Sequence, residues 1–293
     1  MFQISMNSTR IFHHPRSVAA AAALSFILGT QPAAAELPMM EPPWLGYFAV
    51  AEERAFKFLF AAQGEIQIMI LDKDGGEIPP PITLQFFAAE TLPDGSVRQL
   101  FMKPETLESA DAPTPKLKKT TFRCKLSDNA TGQPTLEVTV EIAGGVVLAN
   151  ARITDKGAFD KNPMRPVISA GFHQFYTGVD MESWDKKQIK DFEKEIGKDS
   201  VILKHLDGKR VKLACVDATD SKSKEVNGPG SSSAEVEISA YQKRNIEFLA
   251  APNSSLTLVD AAPAPLHNGF LIQWSPDTAQ DPEGKAKLAI RIK

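Results

Sequence analysis

The sequence predicts an all-β protein, built from antiparallel sheets packed as a β-sandwich or sandwiches, with one surface helix near 183–196. Two observations predict this fold class. Many short segments alternate apolar and polar side chains with a period of two, and Gly, Pro and Asp residues separate these segments. Such alternation places one face of a strand in a core and the other toward water, while one segment alone has a helical period.

The alternation is clearest at 56–60, 66–70 and 136–142, where Phe, Ile, Leu or Val occupies every second position. Turn residues separate such segments, as Asp94-Gly95 does. We therefore expect many short strands joined mostly by hairpins. Further candidate strands are 82–88, 97–103, 119–126, 145–153, 166–176, 201–206, 209–215, 235–241, 245–250, 255–260, 269–275 and 286–292.

The helix is predicted to run from about Ser183 to Ile196, with Ser183 able to cap its start and Gly197 its end. Its inward stripe contains four apolar side chains, too few to build a core. The helix is therefore expected to lie over a sheet. The stripe consists of Trp184, Gln188, Ile189, Phe192, Glu195 and Ile196.

The first 35 residues have the composition of a secretion signal peptide. Arg10 and Arg16 precede an apolar stretch at 17–28, and three alanines at 33–35 form a small-residue cleavage pattern. A membrane anchor is the alternative, but the apolar stretch is shorter than the roughly 20 residues that a spanning helix needs. The sequence predicts an exported protein, periplasmic or extracellular, without a transmembrane segment once residues 1–35 are removed.

The mature chain divides into two predicted β regions. An N-terminal β domain is expected over 41–178, a helix packed on a sheet over 183–197, and a C-terminal β domain over 198–293. A single integrated sandwich is the alternative. Two cysteines bear on this choice, because a bridge between Cys124 and Cys215 would join the two regions in an oxidising compartment. Two separate buried thiols are the other interpretation.

Charge and motifs exclude several function classes. The chain has 33 Lys and Arg against 36 Asp and Glu, a net charge of −3, so nucleic acid is not an expected partner. It lacks the local motifs of serine hydrolases, zinc proteases, phosphate loops and dinucleotide folds. No catalytic residue, metal site or cofactor is predicted. Carboxylates assembled by the fold stay open as a catalytic possibility, since glycosidase acids need no local motif.

The turn at 72–77 is also acidic, and alternate carboxylates can bind Ca²⁺. However, the rest of the twelve-residue calcium loop is missing, so a polar hairpin turn is the preferred interpretation. His173 has aromatic neighbours and is expected to be a partly buried side chain bonded to the backbone rather than a catalytic base.

A basic hairpin is predicted around Asp207-Gly208, where a two-residue loop would place His205 opposite Arg210. It is either an anion contact or an edge hairpin whose lysines prevent unwanted strand pairing, and the second interpretation is preferred. The candidate anion-contact residues are Lys204, His205, Lys209, Arg210 and Lys212.

Four aromatic residues are candidate ligand-binding residues: Trp44, Tyr47, Tyr176 and Trp184. Aromatic platforms can stack on sugar rings, but anchoring of a terminus and a helix is the alternative. The sequence as a whole predicts a non-catalytic binding or scaffolding role in the cell envelope or extracellular space. An envelope protein or a polysaccharide is the expected partner class. The alternatives are a hydrolase acting on an extracellular polymer through assembled carboxylates, and an adaptor that donates or accepts a strand at a sheet edge.

Overall fold

Antiparallel strands dominate the computed structural model, which describes residues 37–126, 133–159, 161–176, 179, 181–242 and 244–293. The predicted all-β class is confirmed, and so is a surface helix close to 183–196. The predicted signal peptide lies outside the described residues.

Nineteen strands and two α-helices are assigned within these ranges. The strands are β1 (Tyr47–Glu52), β2 (Phe56–Ala61), β3 (Ile66–Leu71), β4 (Glu77–Thr91), β5 (Val97–Phe101), β6 (Glu108–Ser109), β7 (Lys119–Lys125), β8 (Thr135–Ala143), β9 (Val146–Asp155), β10 (Met164–Phe172), β11 (Ser200–His205), β12 (Arg210–Ala214), β13 (Ala218–Thr219), β14 (Ser231–Glu237), β15 (Asn245–Ala250), β16 (Ser254–Val259), β17 (Ala264–Pro265), β18 (Phe270–Pro276) and β19 (Leu288–Ile292). The helices are α1 (Lys186–Ile196) and α2 (Lys224–Asn227).

Strand pairing defines two layers. Sheet I has the order β1-β2-β3-β4-β10-β18-β16, with β5 paired to the second half of β4. Sheet II has the order β6-β7-β8-β9-β19-β15-β14-β11-β12. Two pairings join the layers: Ser231 of β14 with Leu256 of β16, and Met102, directly after β5, with Leu126, directly after β7. The strands therefore form one sheet that folds back on itself.

The core lies between the layers, where alternating strands from both sheets contribute their apolar side chains. Phe122 of sheet II contacts Phe60 and Phe86 of sheet I, with ring centroids 5.0 and 5.8 Å apart. Phe172 and Phe248 make a second contact between the layers at 5.9 Å. Burial of each such ring contributes about 1.5–3 kcal/mol to folding, so the period-two pattern explains both the fold class and the packing.

Helix α1 begins later than predicted. Its N-cap is Asp185 rather than Ser183, because the Asp185 carboxylate accepts the backbone N–H groups of Lys187 and Gln188. The Gln188 side chain accepts the Asp185 N–H in return, which completes a capping box. Gly197 caps the other end, as expected. No residue of α1 is buried, so the helix lies on the surface with its apolar stripe half-exposed.

Strand pairing crosses the predicted domain boundary, since β10 pairs with β4 on one side and with β18 on the other. By the contacts between its residues, the described part of the chain forms one compact unit. The division into β domains over 41–178 and 198–293, with one integrated sandwich as the alternative, stays a prediction. Among the helices described here, none has the length and apolar character required to cross a bilayer.

Candidate ligand-binding face

A row of uncharged polar side chains crosses the outer face of sheet I. Ser169 of β10 lies opposite Gln85 of β4 and opposite Gln273 of β18, and Gln273 lies opposite Thr257 of β16. The residues on either side of each of them are buried in the core or turned toward it, so these four side chains point outward. We call this surface of sheet I the neutral face.

A second row lies one pleat away on the same face. Gln67 of β3 lies opposite Thr83 of β4, Thr83 opposite Gly171 of β10, Gly171 opposite Leu271 of β18, and Leu271 opposite Val259 of β16. The row changes from an amide and a hydroxyl on one side to aliphatic side chains on the other. The neutral face therefore offers hydrogen-bonding groups next to apolar surface.

Glycine at position 171 makes room within this row. A Cβ there would lie 2.7 Å from Oγ1 of Thr83, which is closer than non-bonded atoms approach. The same Thr83 hydroxyl lies 3.1 Å from Nε2 of His173. His173 is exposed, and the described partner of its ring is this side chain, so the expectation of a partly buried histidine bonded to the backbone was wrong. The lack of a side chain at Gly171 permits the Thr83–His173 contact.

The first groove of the neutral face, which runs from β10 to β16, has a volume of about 640 Å³. Gln273, Thr257 and Arg165 of β10 line it. Leu206 and Pro229 line it as well, and the Leu206 side chain is 53% exposed. The groove thus combines neutral hydrogen-bonding groups with apolar residues, as small-molecule sites commonly do.

A second cavity, of about 760 Å³, lies at the His173 end of the face. Asp260 lines it together with His173, Leu271 and Val259. Burial raises the pKa of the Asp260 carboxyl, and the hydrogen bond from the Ala261 N–H opposes this rise only in part. Oδ2 of Asp260 is buried and has no hydrogen-bond partner.

Ser169 is the least solvated polar group of the face. Its side chain is 1% exposed, and its Oγ has no hydrogen-bond partner. A buried hydroxyl without a partner costs about 1–3 kcal/mol, so native proteins seldom retain one without a reason. Its position between Gln85 and Gln273 makes it a group that a ligand of the neutral face could satisfy.

Trp44 and Tyr47, two of the predicted ligand-binding residues, lie at the β1 edge of sheet I. Both are half-buried, with ring centroids 6.3 Å apart, and they pack against a small apolar cluster around Leu59. Tyr47 also lines a cavity of about 230 Å³ that includes Gln67 of the second row. The structure thus places these aromatics beside the neutral face, and a ligand-binding role for them stays a prediction.

Tyr176 and Trp184, the other predicted pair, lie on the segment before α1. Both rings contact Phe192 of the helix, at 5.4 and 5.2 Å between centroids. The Tyr176 hydroxyl donates to the buried carboxylate of Asp199, and burial together with this bond raises the pKa of Tyr176. These contacts anchor the helix, and neither residue lies in the two rows of the neutral face.

The predicted register of the basic hairpin was wrong by one residue. The His205 N–H donates to the Lys209 carbonyl, and Lys204 rather than His205 lies opposite Arg210. The loop has three residues, since the Asp207 carboxylate accepts the Lys209 N–H and Gly208 adopts a positive φ of 88°. A shift of one residue exchanges the two faces of a strand.

This shift removes His205 from the candidate anion contact. Its side chain is 2% exposed, and Nε2 lies 2.9 Å from the carbonyl oxygen of Val226. The four cations Lys204, Lys209, Arg210 and Lys212 are exposed, and no described carboxylate pairs with them.

Cys124 and Cys215 are both free and buried in the core. The bridge considered from the sequence is not present, and the two residues occupy separate strands and turns, Cys124 in β7 and Cys215 after β12. Burial raises the pKa of each thiol to about 12, and the Asp199 carboxylate adds to the rise at Cys215. Neither thiol is a reactive nucleophile near neutral pH.

The acidic turn at 72–77 is a polar hairpin turn in the structure. The Asp72 carboxylate accepts the N–H groups of Asp74 and Gly76, so its oxygens stabilise the turn itself. Across the ranges that the structure describes, no group of three or more His, Cys, Asp or Glu residues has a metal-binding arrangement.

The residues of the neutral face were not singled out by the sequence. Gln85, Ser169, Gln273 and Thr257 belong to predicted strands, and their alternation with apolar residues gives their outward direction. They become neighbours only because strands pair whose facing residues lie 16 to 104 positions apart in the chain. A row of this kind has no local motif.

No family model matches this sequence, and no curated protein matches it. Solved structures do share the fold. An α-N-acetylgalactosaminidase, NagBb from Bifidobacterium bifidum, aligns with a TM-score of 0.51 at 10% identity, over 83% of this chain and 36% of that chain. The chain thus spans about a third of that enzyme.

Two smaller proteins align over most of their own length. The Slr1438 protein from Synechocystis sp. PCC 6803 gives a TM-score of 0.45 at 11% identity, over 83% of this chain and 94% of that one. A galactose mutarotase-like protein from Lactobacillus casei ATCC 334 gives 0.42 at 12% identity, over 83% and 98%. At these identities the likeness to NagBb concerns the fold, and the two lower scores carry no argument.

Proposed function

We propose that the chain is an exported, non-catalytic binding protein whose neutral face holds an uncharged, hydroxyl-rich ligand of the oligosaccharide class. The register of Gln85, Ser169, Gln273 and Thr257 across four strands is the observation that carries the proposal. The predicted signal peptide supports export. A polysaccharide of the cell envelope or its surroundings would be the natural source of such a ligand.

The chemistry of the row suits sugar hydroxyls. Each hydroxyl is both a donor and an acceptor, and a primary amide such as that of Gln85 or Gln273 offers both functions within one side chain. No described residue is hydrogen-bonded to either amide, so both are free to bind a ligand. Leu271 and Val259 offer apolar surface to the C–H faces of a sugar ring.

The alternative, hydrolysis of a polymer, requires two cooperating carboxyl groups about 5–9.5 Å apart. Among the described residues lining the groove of about 640 Å³, Asp277 is the one carboxylate, and its Oδ1 accepts the N–H groups of Ala279 and Gln280. Asp260 is the one carboxylate lining the second cavity. Each carboxyl thus lines a different cavity, which favours binding over catalysis at the neutral face. Carboxylates do cluster around two cavities elsewhere, one lined by Glu108, Asp111 and Glu137 and the other by Glu195, Asp199 and Glu237.

The test is a panel of immobilised neutral glycans probed with the purified chain, followed by calorimetry on any glycan that is retained. The double variant Gln85→Ala/Gln273→Ala removes two amides and should weaken binding by about tenfold or more, as the loss of two hydrogen bonds implies. Gln133→Ala, a glutamine before β8 and outside both rows, is the matched control and should bind as the unmodified chain does.

Two results would overturn the proposal. The first is glycan binding that survives the double variant unchanged, which would place the site elsewhere. The second is the appearance of shortened glycan products that vanish with Asp260→Asn or Asp277→Asn, which would establish a hydrolase. Product formation is followed by chromatography of the same incubations.

A further inference from the structure

Strand β12 forms an open edge of sheet II. Among the described strands it pairs with β11 alone, from Ser200↔Ala214 to Lys204↔Arg210. The opposite edge of the sandwich differs, because residues 114–117 bond to the backbone of β1 and cover it. The free N–H and C=O groups of an open edge can accept another strand.

The cations next to this edge lack carboxylate partners. Lys204 and Arg210 lie directly opposite each other, with Lys212 two residues further along the same face. Like charges in this cross-strand arrangement destabilise a sheet. On the same outer face of sheet II, Arg123 and Arg152 bind Glu137 at 2.6 Å, whereas the exposed Lys119 and Lys125 of β7 have no ion pair with a described carboxylate. The unpaired cations at the edge therefore form a positive surface available to an acidic partner.

The other face of β12 is apolar. Val211 lies opposite the fully buried Leu203, and Leu213 opposite the fully buried Val201, so both point toward the core side of the sheet. Both are nevertheless only half-buried, because β12 is the last strand of the layer. A further strand would cover them if it presented apolar side chains on that side.

We propose that β12 accepts an extended segment of a partner protein in which acidic and apolar residues alternate. The partner's main chain would bond to the free edge, its acidic side chains would face Arg210 and Lys212, and its apolar side chains would cover Val211 and Leu213. This is β-strand addition, in which main-chain bonds give affinity and alternate side chains give specificity.

The same cations select against other occupants. A second copy of β12 would bring like charges together, and a neutral strand would leave the cations without partners. The protective role of edge lysines and the proposed docking are therefore compatible, since repulsion excludes wrong strands and attraction admits an acidic one. An anionic polysaccharide could satisfy the charges, but it would leave the half-buried apolar side chains uncovered.

The experiment measures binding of a fluorescent synthetic peptide of alternating glutamate and valine to the full chain by anisotropy. The double variant Arg210→Glu/Lys212→Glu should bind about tenfold or more weakly, since two attractions become repulsions. Lys116→Glu/Lys118→Glu, which makes the same charge change on an exposed loop, is the control and should bind normally. Hydrogen exchange should show slower exchange at the β12 amides when the peptide is bound.

Three further probes decide between occupants. The same peptide N-methylated at alternate residues keeps its charge but cannot complete the main-chain ladder, so it should not bind. Polygalacturonate tests the anionic polysaccharide, and equal or tighter binding of this polymer would overturn the proposal. So would binding of the N-methylated peptide, and so would the absence of binding by the unmodified peptide, which would leave the cations a protective role alone.

Discussion

The outer faces of sheet I and sheet II differ in whether their polar side chains have partners within the protein. At the centre of sheet II, away from the β12 edge, charged side chains bind one another: Glu137 binds Arg123 and Arg152, Glu141 binds Lys287, and Glu247 binds Lys293. On the neutral face of sheet I the central row is uncharged, and its amides have no described partner. The polar groups at the centre of sheet II thus bond to other side chains of the protein, whereas the amides of the neutral face are free to bond to a ligand.

This difference separates stability from recognition. Polar groups that bind each other stabilise the fold, but few of their hydrogen-bonding positions remain for a ligand. Polar groups without partners lower the stability of the free protein, and a ligand that bonds to them restores that stability. Substitutions on the outer face of sheet II should therefore change the free energy of unfolding. Substitutions on the neutral face should change ligand binding, with small or opposite effects on stability.

The largest effect is expected at Glu137. Its side chain is buried between Arg123 and Arg152, each 2.6 Å away. Glu137→Ala leaves both guanidinium groups without this partner and should lower the free energy of unfolding by about 2 kcal/mol, a value reduced because both arginines are half-exposed. Urea unfolding followed by circular dichroism measures it. A loss below 0.5 kcal/mol, within the range of ordinary surface changes, would contradict the comparison.

The same residue predicts a pH dependence. Burial alone would raise the pKa of Glu137, but hydrogen bonds and attraction from the two arginines lower it overall. Because the pKa of Glu137 is lower in the folded chain than its ordinary value of 4.5, its carboxylate contributes fully to folding stability above pH 4.5. This contribution to stability is lost as the pH falls through the folded-state pKa. The stability gap between the unmodified chain and Glu137→Gln should therefore narrow below that pH. A gap that stays constant would show that the carboxylate is not the stabilising group.

The sequence predicted the parts of the molecule that depend on local pattern. Alternation identified the strands because burial of one strand face is a property of consecutive residues, and Gly197 was recognised as a helix cap for the same local reason. The predicted start of α1 was wrong because Asp185, together with Gln188, makes a better N-cap than Ser183 does. Both candidates have suitable side chains, and the choice depends on where the preceding chain turns.

The parts that depend on pairing between distant strands were not predicted. His205 illustrates this, since one additional loop residue moved it from the cationic face into the core. The neutral face is the larger case: Gln85, Ser169 and Gln273 lie far apart in the chain, and only the order and register of β4, β10 and β18 bring them together. Hydrophobic periodicity fixes the direction of a side chain but not its neighbour on the next strand.

A smaller effect is expected at Gly171, in the second row of the neutral face. A methyl group there meets the Thr83 hydroxyl at 2.7 Å, so Thr83 must rotate and lose His173. Gly171→Ala should lower stability by about 1 kcal/mol, within the usual cost of an added methylene in a tight site. In a Thr83→Ala background the obstacle is absent, and the same change should raise stability by about 0.5 kcal/mol through the unfolded chain. If Gly171→Ala changed the free energy of unfolding equally in both backgrounds, the close approach to the Thr83 hydroxyl would not be the cause.

Ser169 allows the sharpest comparison, because its buried hydroxyl should oppose folding and favour binding. Ser169→Ala removes a polar atom that has no partner, so stability should rise by about 0.5–1 kcal/mol while affinity for a glycan of the neutral face falls.

Ser231→Ala is the matched control, since Ser231 is equally buried, its Oγ also lacks a partner, and it pairs with Leu256 on the core side. It should gain stability without any change in affinity. If Ser169→Ala gained stability and still bound the glycan normally, its unsatisfied hydroxyl would be a packing defect like that of Ser231. The row across sheet I would then lose its central ligand contact. If both variants lost stability, the two hydroxyls would have partners in solution, and the free polar groups of the neutral face would not be free.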